Sequence, residues 1–269
     1  MFDEIPALHV AQAQLATGVR LSYAECGDQE GPTVLLLHGY TDSWFSFSRL
    51  LPLLAPKLHL IGPDQRGHGD SERPESGYSI AQYAADALAL LDALGQREAF
   101  VVGHSMGSFI AQAVALAAPE RVRGLVLIGS ATTARNPGVL DLRDAVSELS
   151  DPVPEPFARE FQASTIHHPV PAPFLDRVVA ESLKLPARVW RAALDGLLDA
   201  DLAGQLGQIA APALILWGDQ DGVFPREEQD LLAAALPSSR LEIYPDTGHA
   251  LHWERPAQCA KDVLGLVNP

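Results

Sequence analysis

Residues 99–110 (Ala99-Phe100-Val101-Val102-Gly103-His104-Ser105-Met106-Gly107-Ser108-Phe109-Ile110) constrain the chain more than any other stretch. The opening residues form an apolar run containing Val101 and Val102, the composition of a strand buried on both faces of a parallel sheet. The run breaks at Gly103, and Phe109, Ile110, Val114 and Leu116 then recur at helical spacing. Between the two patterns lies Gly103-x-Ser105-x-Gly107, a strand-to-helix turn that holds a serine in a strained, exposed conformation. Glycine suits both flanks because a Cβ would collide where the arms approach. Ser105 is expected to be a nucleophile; the competing role is an ordinary helix N-cap.

The remainder of the chain repeats this alternation. Residues 8–27 alternate loosely around Thr17-Gly18 and predict an antiparallel hairpin. Apolar runs at 33–37, 58–62, 124–128, 213–217 and 240–244 predict further strands, about eight in all. Helical patterns cover 79–95, 226–236 and 256–267. Strands alternating with helices imply a mainly parallel sheet covered on both faces.

Residues 132–208 break the rhythm, with helical patterns around 138–149, 156–165, 174–184 and 187–199, punctuated by proline and without a convincing strand. They are expected to form a helical cap over the strands' C-terminal ends, where open α/β sheets bind ligands. The core domain is then 1–131 together with 209–269, and the cap 132–208.

Composition narrows the function. A net charge of −15 and the lack of any Lys/Arg run argue against nucleic acid and anionic membrane surfaces as partners. The N-terminus, Met1-Phe2-Asp3-Glu4-Ile5-Pro6, lacks a basic region and an apolar core, so a signal peptide is not expected. Cys26 and Cys259 sit at opposite ends of the chain without metal-type spacing, which favours a reduced, cytoplasmic protein.

A serine hydroxyl needs an adjacent base, usually an oriented histidine. Of nine histidines, His249 follows the last strand in Pro245-Asp246-Thr247-Gly248-His249 and is favoured over His252, which is expected to pack or cap. The base needs a carboxylate to fix its tautomer. Asp221 is preferred in Gly218-Asp219-Gln220-Asp221-Gly222, with Asp219 left as a turn or capping residue. The other suitable place, Gly129-Ser130-Ala131-Thr132-Thr133, offers no acid. An oxyanion would be held by the backbone N–H groups of Met106, at the helix start, and Tyr40, after His38-Gly39. His38 is expected to bond locally, and Asp42 and Ser43 to cap a helix or contact substrate. His167-His168 looks metal-like, but on a helix the two side chains would point about 100° apart, so neither a metal nor a cofactor is expected.

Five segments together resemble the α/β-hydrolase superfamily, in particular its small, lidded bacterial esterase and lactonase-like members. They are Leu37-His38-Gly39-Tyr40, Asp64-Gln65-Arg66-Gly67-His68-Gly69-Asp70-Ser71, Gly103-His104-Ser105-Met106-Gly107, Gly218-x-x-Asp221-x-x-x-Pro225 and Gly248-His249. Ser108 departs from the pattern, since many relatives carry glycine there. The resemblance implies that Asp64 and Arg66 hydrogen-bond within their loop rather than act chemically.

The dehalogenases and epoxide hydrolases of this superfamily require a carboxylate nucleophile, and the epoxide hydrolases resemble one another in having cap tyrosines, whereas residues 132–208 contain none. The resemblance therefore implies hydrolysis of a small to medium, largely apolar ester or lactone by a monomer or homodimer. Alternatives are carbon–carbon bond hydrolysis of dienone acids, cofactor-free perhydrolysis, and a ligand sensor built on the same fold. Trp44, Phe174 and Trp190 are expected to line the substrate pocket, with Phe157 and Phe161 as further cap aromatics; core packing is the alternative for each cap aromatic.

Overall fold

A computed structural model describes residues 8–268, so the expectation drawn from Met1–Pro6 lies outside the described residues. The chain opens with an antiparallel hairpin, β1 (His9–Gln14) and β2 (Arg20–Gly27), whose turn uses Gly18 at φ +85°. Then come β3 (Thr33–Leu37), a short α1 (Leu51–Leu54), β4 (His59–Pro63), α2 (Ile80–Ala93), β5 (Ala99–His104), α3 (Met106–Ala117) and β6 (Val122–Ile128). Four helices follow before the sheet resumes: α4 (Pro137–Ser147), α5 (Glu155–Ser164), α6 (Ala172–Ser182) and α7 (Ala187–Leu198). The chain closes with β7 (Ala213–Gly218), α8 (Arg226–Ala235), β8 (Ser239–Tyr244), α9 (Leu251–Glu254) and α10 (Pro256–Val267).

The strands make one eight-stranded sheet in the order β1-β2-β4-β3-β5-β6-β7-β8. The two junctions made by β2 are antiparallel and all others parallel. The sequence pattern explains the layering. Strands β4, β5 and β7 are buried at every position, matching their unbroken apolar runs, while β8 at the edge is half exposed. One sheet face packs against α2, α3 and part of the helical insertion through Leu35, Val101, Phe109, Leu125 and Ile215. The other packs under α1 and α10 through Leu36, Val102, Val126, Leu214 and Val263. Cys26 and Cys259 are free thiols buried in that second layer, and burial raises the Cys26 thiol to about 11. No helix among the described residues is long and apolar enough to cross a membrane.

Parallel strands direct their C-terminal ends one way, and the loops leaving β3, β4, β5, β6, β7 and β8 meet there. The insertion is fastened over this edge. Tyr40 Oη donates to the Trp190 carbonyl (2.7 Å), Gln162 Nε2 to Asp42 Oδ1 (2.9 Å) and Lys184 Nζ to Asp70 Oδ1 (2.9 Å).

Candidate active site

The junction of β5 and α3 places Ser105 at φ +52°, ψ −120°, a region costly for any residue with a Cβ. Its side chain does not cap α3, so the N-cap role is not the one it fills. The glycines make the turn possible, though only one for the expected reason. A Cβ on Gly103 would lie 2.2 Å from the Gly107 carbonyl oxygen, the other arm of the turn. One on Gly107 would lie 2.0 Å from the Leu37 carbonyl oxygen, on neighbouring β3. The elbow is therefore pressed against its neighbouring strand as well as folded on itself. Ser108 reinforces it, its Oγ lying 2.6 Å from the Ser105 carbonyl oxygen and 2.7 Å from Ser130 Oγ. A glycine there would lack this brace.

His249 and Asp221 come together from the loops after β8 and β7: Nδ1 lies 2.8 Å from Asp221 Oδ2, with both side chains buried. The second carboxylate oxygen accepts the Val223 N–H (2.7 Å) and Phe224 N–H (3.0 Å), which fixes its orientation. The two loops are also zipped to each other. Asp219 N–H donates to the Tyr244 carbonyl (3.0 Å), Gln220 N–H to the Thr247 carbonyl (2.9 Å), and Asp219 Oδ1 accepts the Asp246 N–H (2.7 Å). Asp219 thus aligns the loop that carries His249.

Gly129, just past β6, escaped the sequence argument. It adopts φ +53°, and a Cβ there would lie 2.8 Å from both Cε1 and Nδ1 of His249. The imidazole occupies the space this glycine leaves. A lone glycine ending a buried strand beside an expected active site was the available signal.

His249 sits among other imidazoles. Its ring centroid is 5.0 Å from that of His104, which is 4.4 Å from that of His252. Burial first, and the neighbouring histidines next, hold His104 well below the ordinary imidazole range; burial lowers His252 to about 3. Both are thus held towards the neutral form, and the carboxylate in hydrogen-bond contact with His249 is that of Asp221. His252 packs on Phe47 and lies 3.2 Å from Ser46 Oγ, in keeping with a packing role.

A cavity of about 220 Å³ opens onto Ser105 and His249, with Gly39, Tyr40 and Asp42 on the β3 side. Its remaining wall is mainly apolar, including Leu142, Phe161, Leu194, Val223, Phe224 and Trp253. Trp44, Phe174 and Trp190 do not line it, contrary to expectation. Trp190 is fully buried behind the wall, edge-on to Tyr40 and Phe161; Phe174 stacks on Phe45 and stands edge-on to Trp253; Trp44 packs beside Phe45. Helix periodicity gives Phe174 and Trp190 an apolar face, and Trp44 sits in an expected loop, and neither pattern says which partner covers the ring. Phe161, which does reach the cavity, was indistinguishable from them in the sequence.

Tyr40 lies on the cavity wall, and Met106 is the first residue of α3, where a backbone N–H has no acceptor within the helix. Ser43 caps the short helix at Trp44–Phe47 by accepting the Phe45 N–H (3.2 Å). Asp42 instead lines the cavity, fully buried, and accepts from Ser46 Oγ (3.1 Å) and Gln162; burial raises its carboxyl to about 7. His38 bridges two loops, with Nδ1 2.8 Å from the Gly39 carbonyl and Nε2 accepting the Gln65 N–H (3.0 Å). Asp64 accepts the Asp70 N–H within its own loop and the Trp44 N–H of the loop after β3, both at 2.9 Å, so it is local only in part. Arg66 is not local: it reaches α2 and forms a two-pronged pair with Asp86 (2.7 and 2.9 Å).

Comparison with known proteins agrees with this architecture. Residues 32–256 match the α/β-hydrolase fold family. A 2-hydroxy-6-oxononadienedioate/2-hydroxy-6-oxononatrienedioate hydrolase of Pseudomonas putida is 31% identical over 263 residues, covering 93% of this chain and 92% of that one. A hydrolase from Pseudomonas aeruginosa superposes with a TM-score of 0.87 at 27% identity, over 97% of this chain and 99% of that one. An esterase from Exiguobacterium antarcticum shares the fold with a TM-score of 0.88 at 23% identity, over 97% of this chain and all (100%) of that one. The chain belongs to the α/β-hydrolase fold family.

Proposed function

We propose that the protein is a serine hydrolase that cleaves a small to medium, largely apolar carboxylic ester or lactone through an acyl-enzyme. The observation that carries this is the His249–Asp221 pair opening onto the same apolar-walled cavity as the strained Ser105. Ser105 Oγ attacks the carbonyl carbon as His249 takes its proton. Asp221 keeps the imidazole in the productive tautomer and balances the imidazolium. The Met106 and Tyr40 N–H groups hold the oxyanion, aided by the N-terminal dipole of α3. His249 passes its proton to the leaving alkoxide, then activates the water that releases the acid. The cap is residues 132–208, and neither metal nor cofactor enters the chemistry.

The Pseudomonas putida relative makes carbon–carbon bond hydrolysis the second possibility. The substrate named for that enzyme is a dicarboxylate. The cavity here is lined by no Lys or Arg and carries Asp42, a poor setting for a second carboxylate. Ester chemistry is therefore favoured.

The test is a stopped-flow series of p-nitrophenyl esters from acetate to octanoate, wild type beside Ser105→Ala. Nitrophenol release should be saturable, best for the shorter chains, and lower in the variant by on the order of 10⁶-fold in kcat. A protein that neither turns over these esters nor is labelled at Ser105 by a fluorophosphonate would overturn the assignment. Labelling without turnover would direct attention to dienone acids.

A further inference from the structure

The doublet His167-His168 does not lie on a helix. It occupies a bend following α5, and both rings turn to the same carboxylate. His167 Nε2 lies 3.1 Å from Asp246 Oδ1, and His168 Nε2 lies 2.7 Å from Asp246 Oδ2. The two side chains therefore converge instead of pointing about 100° apart, because a bend does not have helical geometry. Among the described residues these three form the one group of His, Cys, Asp or Glu side chains whose ligand atoms converge as a metal requires, all within 4.8 Å of one another.

We propose that His167, His168 and Asp246 form a binding site for a borderline divalent cation of the Zn²⁺ class, joining the helical insertion to the loop that carries His249. Two imidazoles and a carboxylate, with water in the fourth position, suit Zn²⁺ in kind and number. In a tetrahedral site with bonds of about 2.0–2.1 Å, ligand atoms stand about 3.3 Å apart. The separations here need only small rotations of exposed side chains to reach that value. As N–H groups the two Nε2 atoms donate to Asp246; with the ring protons moved to Nδ1, their lone pairs face the same carboxylate, one at each oxygen.

The backbone beneath is already fixed. Glu254 accepts the His167 N–H (3.0 Å) and Gly248 N–H (2.9 Å) on Oε1 and the His168 N–H (2.9 Å) on Oε2, binding both segments to one carboxylate. Asp219 holds the Asp246 N–H at 2.7 Å. Metal ligands supported in this way lose less freedom on binding. The nearby guanidinium of Arg255 lies 3.5 Å from the Asp246 carbonyl oxygen. The net charge of −15 raises the local concentration of cations.

The test uses the full chain without an affinity tag, stripped with chelator and titrated with ZnCl₂ in a calorimeter. Wild type should bind one equivalent, and both His168→Ala and Asp246→Asn should weaken binding at least tenfold. Excess Zn²⁺ should raise the Tm of wild type and leave those variants unmoved. The absence of binding heat in wild type, or an unchanged affinity in folded His168→Ala and Asp246→Asn, would overturn the proposal. A second readout needs no variant: Co²⁺ should give the intense visible bands of a four- or five-coordinate nitrogen/oxygen site. A spectrum unchanged from the aqueous ion would also overturn it.

Discussion

The sheet and the helical insertion approach the cavity from opposite sides and are built to different tolerances. At the elbow, backbone meets backbone: added Cβ atoms on Gly103 and Gly107 would stop 2.2 and 2.0 Å from carbonyl oxygens. No side-chain rotation relieves that. The insertion makes an equally close backbone approach at α7, where a Cβ on Gly196 would lie 1.9 Å from the Tyr78 carbonyl oxygen. Otherwise it holds on through apolar packing and the ends of side chains, as in Tyr40 to Trp190, Gln162 to Asp42 and Lys184 to Asp70. Hydrogen bonds of this kind can be broken singly at modest cost. Steric fit thus fixes where bonds would be made and broken, and what covers that place is held by apolar packing together with separable polar contacts. Changes on the sheet side should appear in kcat, and changes at the fastenings in stability and substrate range.

Four substitutions sharpen that contrast. The largest effect is expected from Asp221→Asn, which keeps the shape but favours the wrong imidazole tautomer, lowering kcat by roughly 10⁴-fold with little change in KM; steady-state kinetics on a p-nitrophenyl ester checks it. Gly129→Ala should follow. Its Cβ meets the His249 ring and its φ of +53° penalises alanine, so a displacement near 1 Å should cost about 10²-fold in kcat. A variant with wild-type kcat would show that the ring has room to move. Tyr40→Phe tests the other side. It removes the phenol's bond to a Trp190 carbonyl that the α7 ladder still satisfies, a loss of about 0.5–1.5 kcal/mol that should lower Tm by a few degrees while kcat on small esters changes little.

The smallest effect depends on pH. Burial raises the Asp42 carboxyl to about 7, so the folded state retains a proton that the unfolded chain releases near the usual carboxylate range. This group's contribution to stability is fullest under acidic conditions and declines as pH rises towards 7. Asparagine mimics the neutral acid. Asp42→Asn should therefore gain more Tm over wild type at pH 8 than at pH 5. An equal difference at both would show that Gln162 and Ser46 already satisfy the charged form.

The central strands were legible because a strand buried on both faces must be an unbroken apolar run, as Thr33–Leu37 and Ala213–Gly218 are, and the hairpin β1–β2 because its residues alternate. The loops after β5, β7 and β8 were legible because the spacing Gly103-x-Ser105-x-Gly107 marks one strand end and the chain order serine, aspartate, histidine then points to the other two. Packing partners were not. Trp44, Phe174 and Trp190 are large apolar residues, which says that each is covered but not by what. Arg66 appeared local because its partner, Asp86, lies 20 residues away on α2. His167 and His168 appeared divergent because the bend following α5 carries no strong breaker until Pro169.

The sheet order also bears on how the chain assembles. Strands β6 and β7 are neighbours, yet the whole insertion is synthesised between them. Closing so long a connection is entropically unfavourable and slows parallel pairing. The insertion shortens the search, since its first and last helices, α4 and α7, pack together and return the chain near where it left the sheet. Until that happens β6 presents an unpaired edge open to other chains. A change that loosens α4 from α7 should therefore appear as slower refolding and greater aggregation at high protein concentration, even where the finished fold is unaltered.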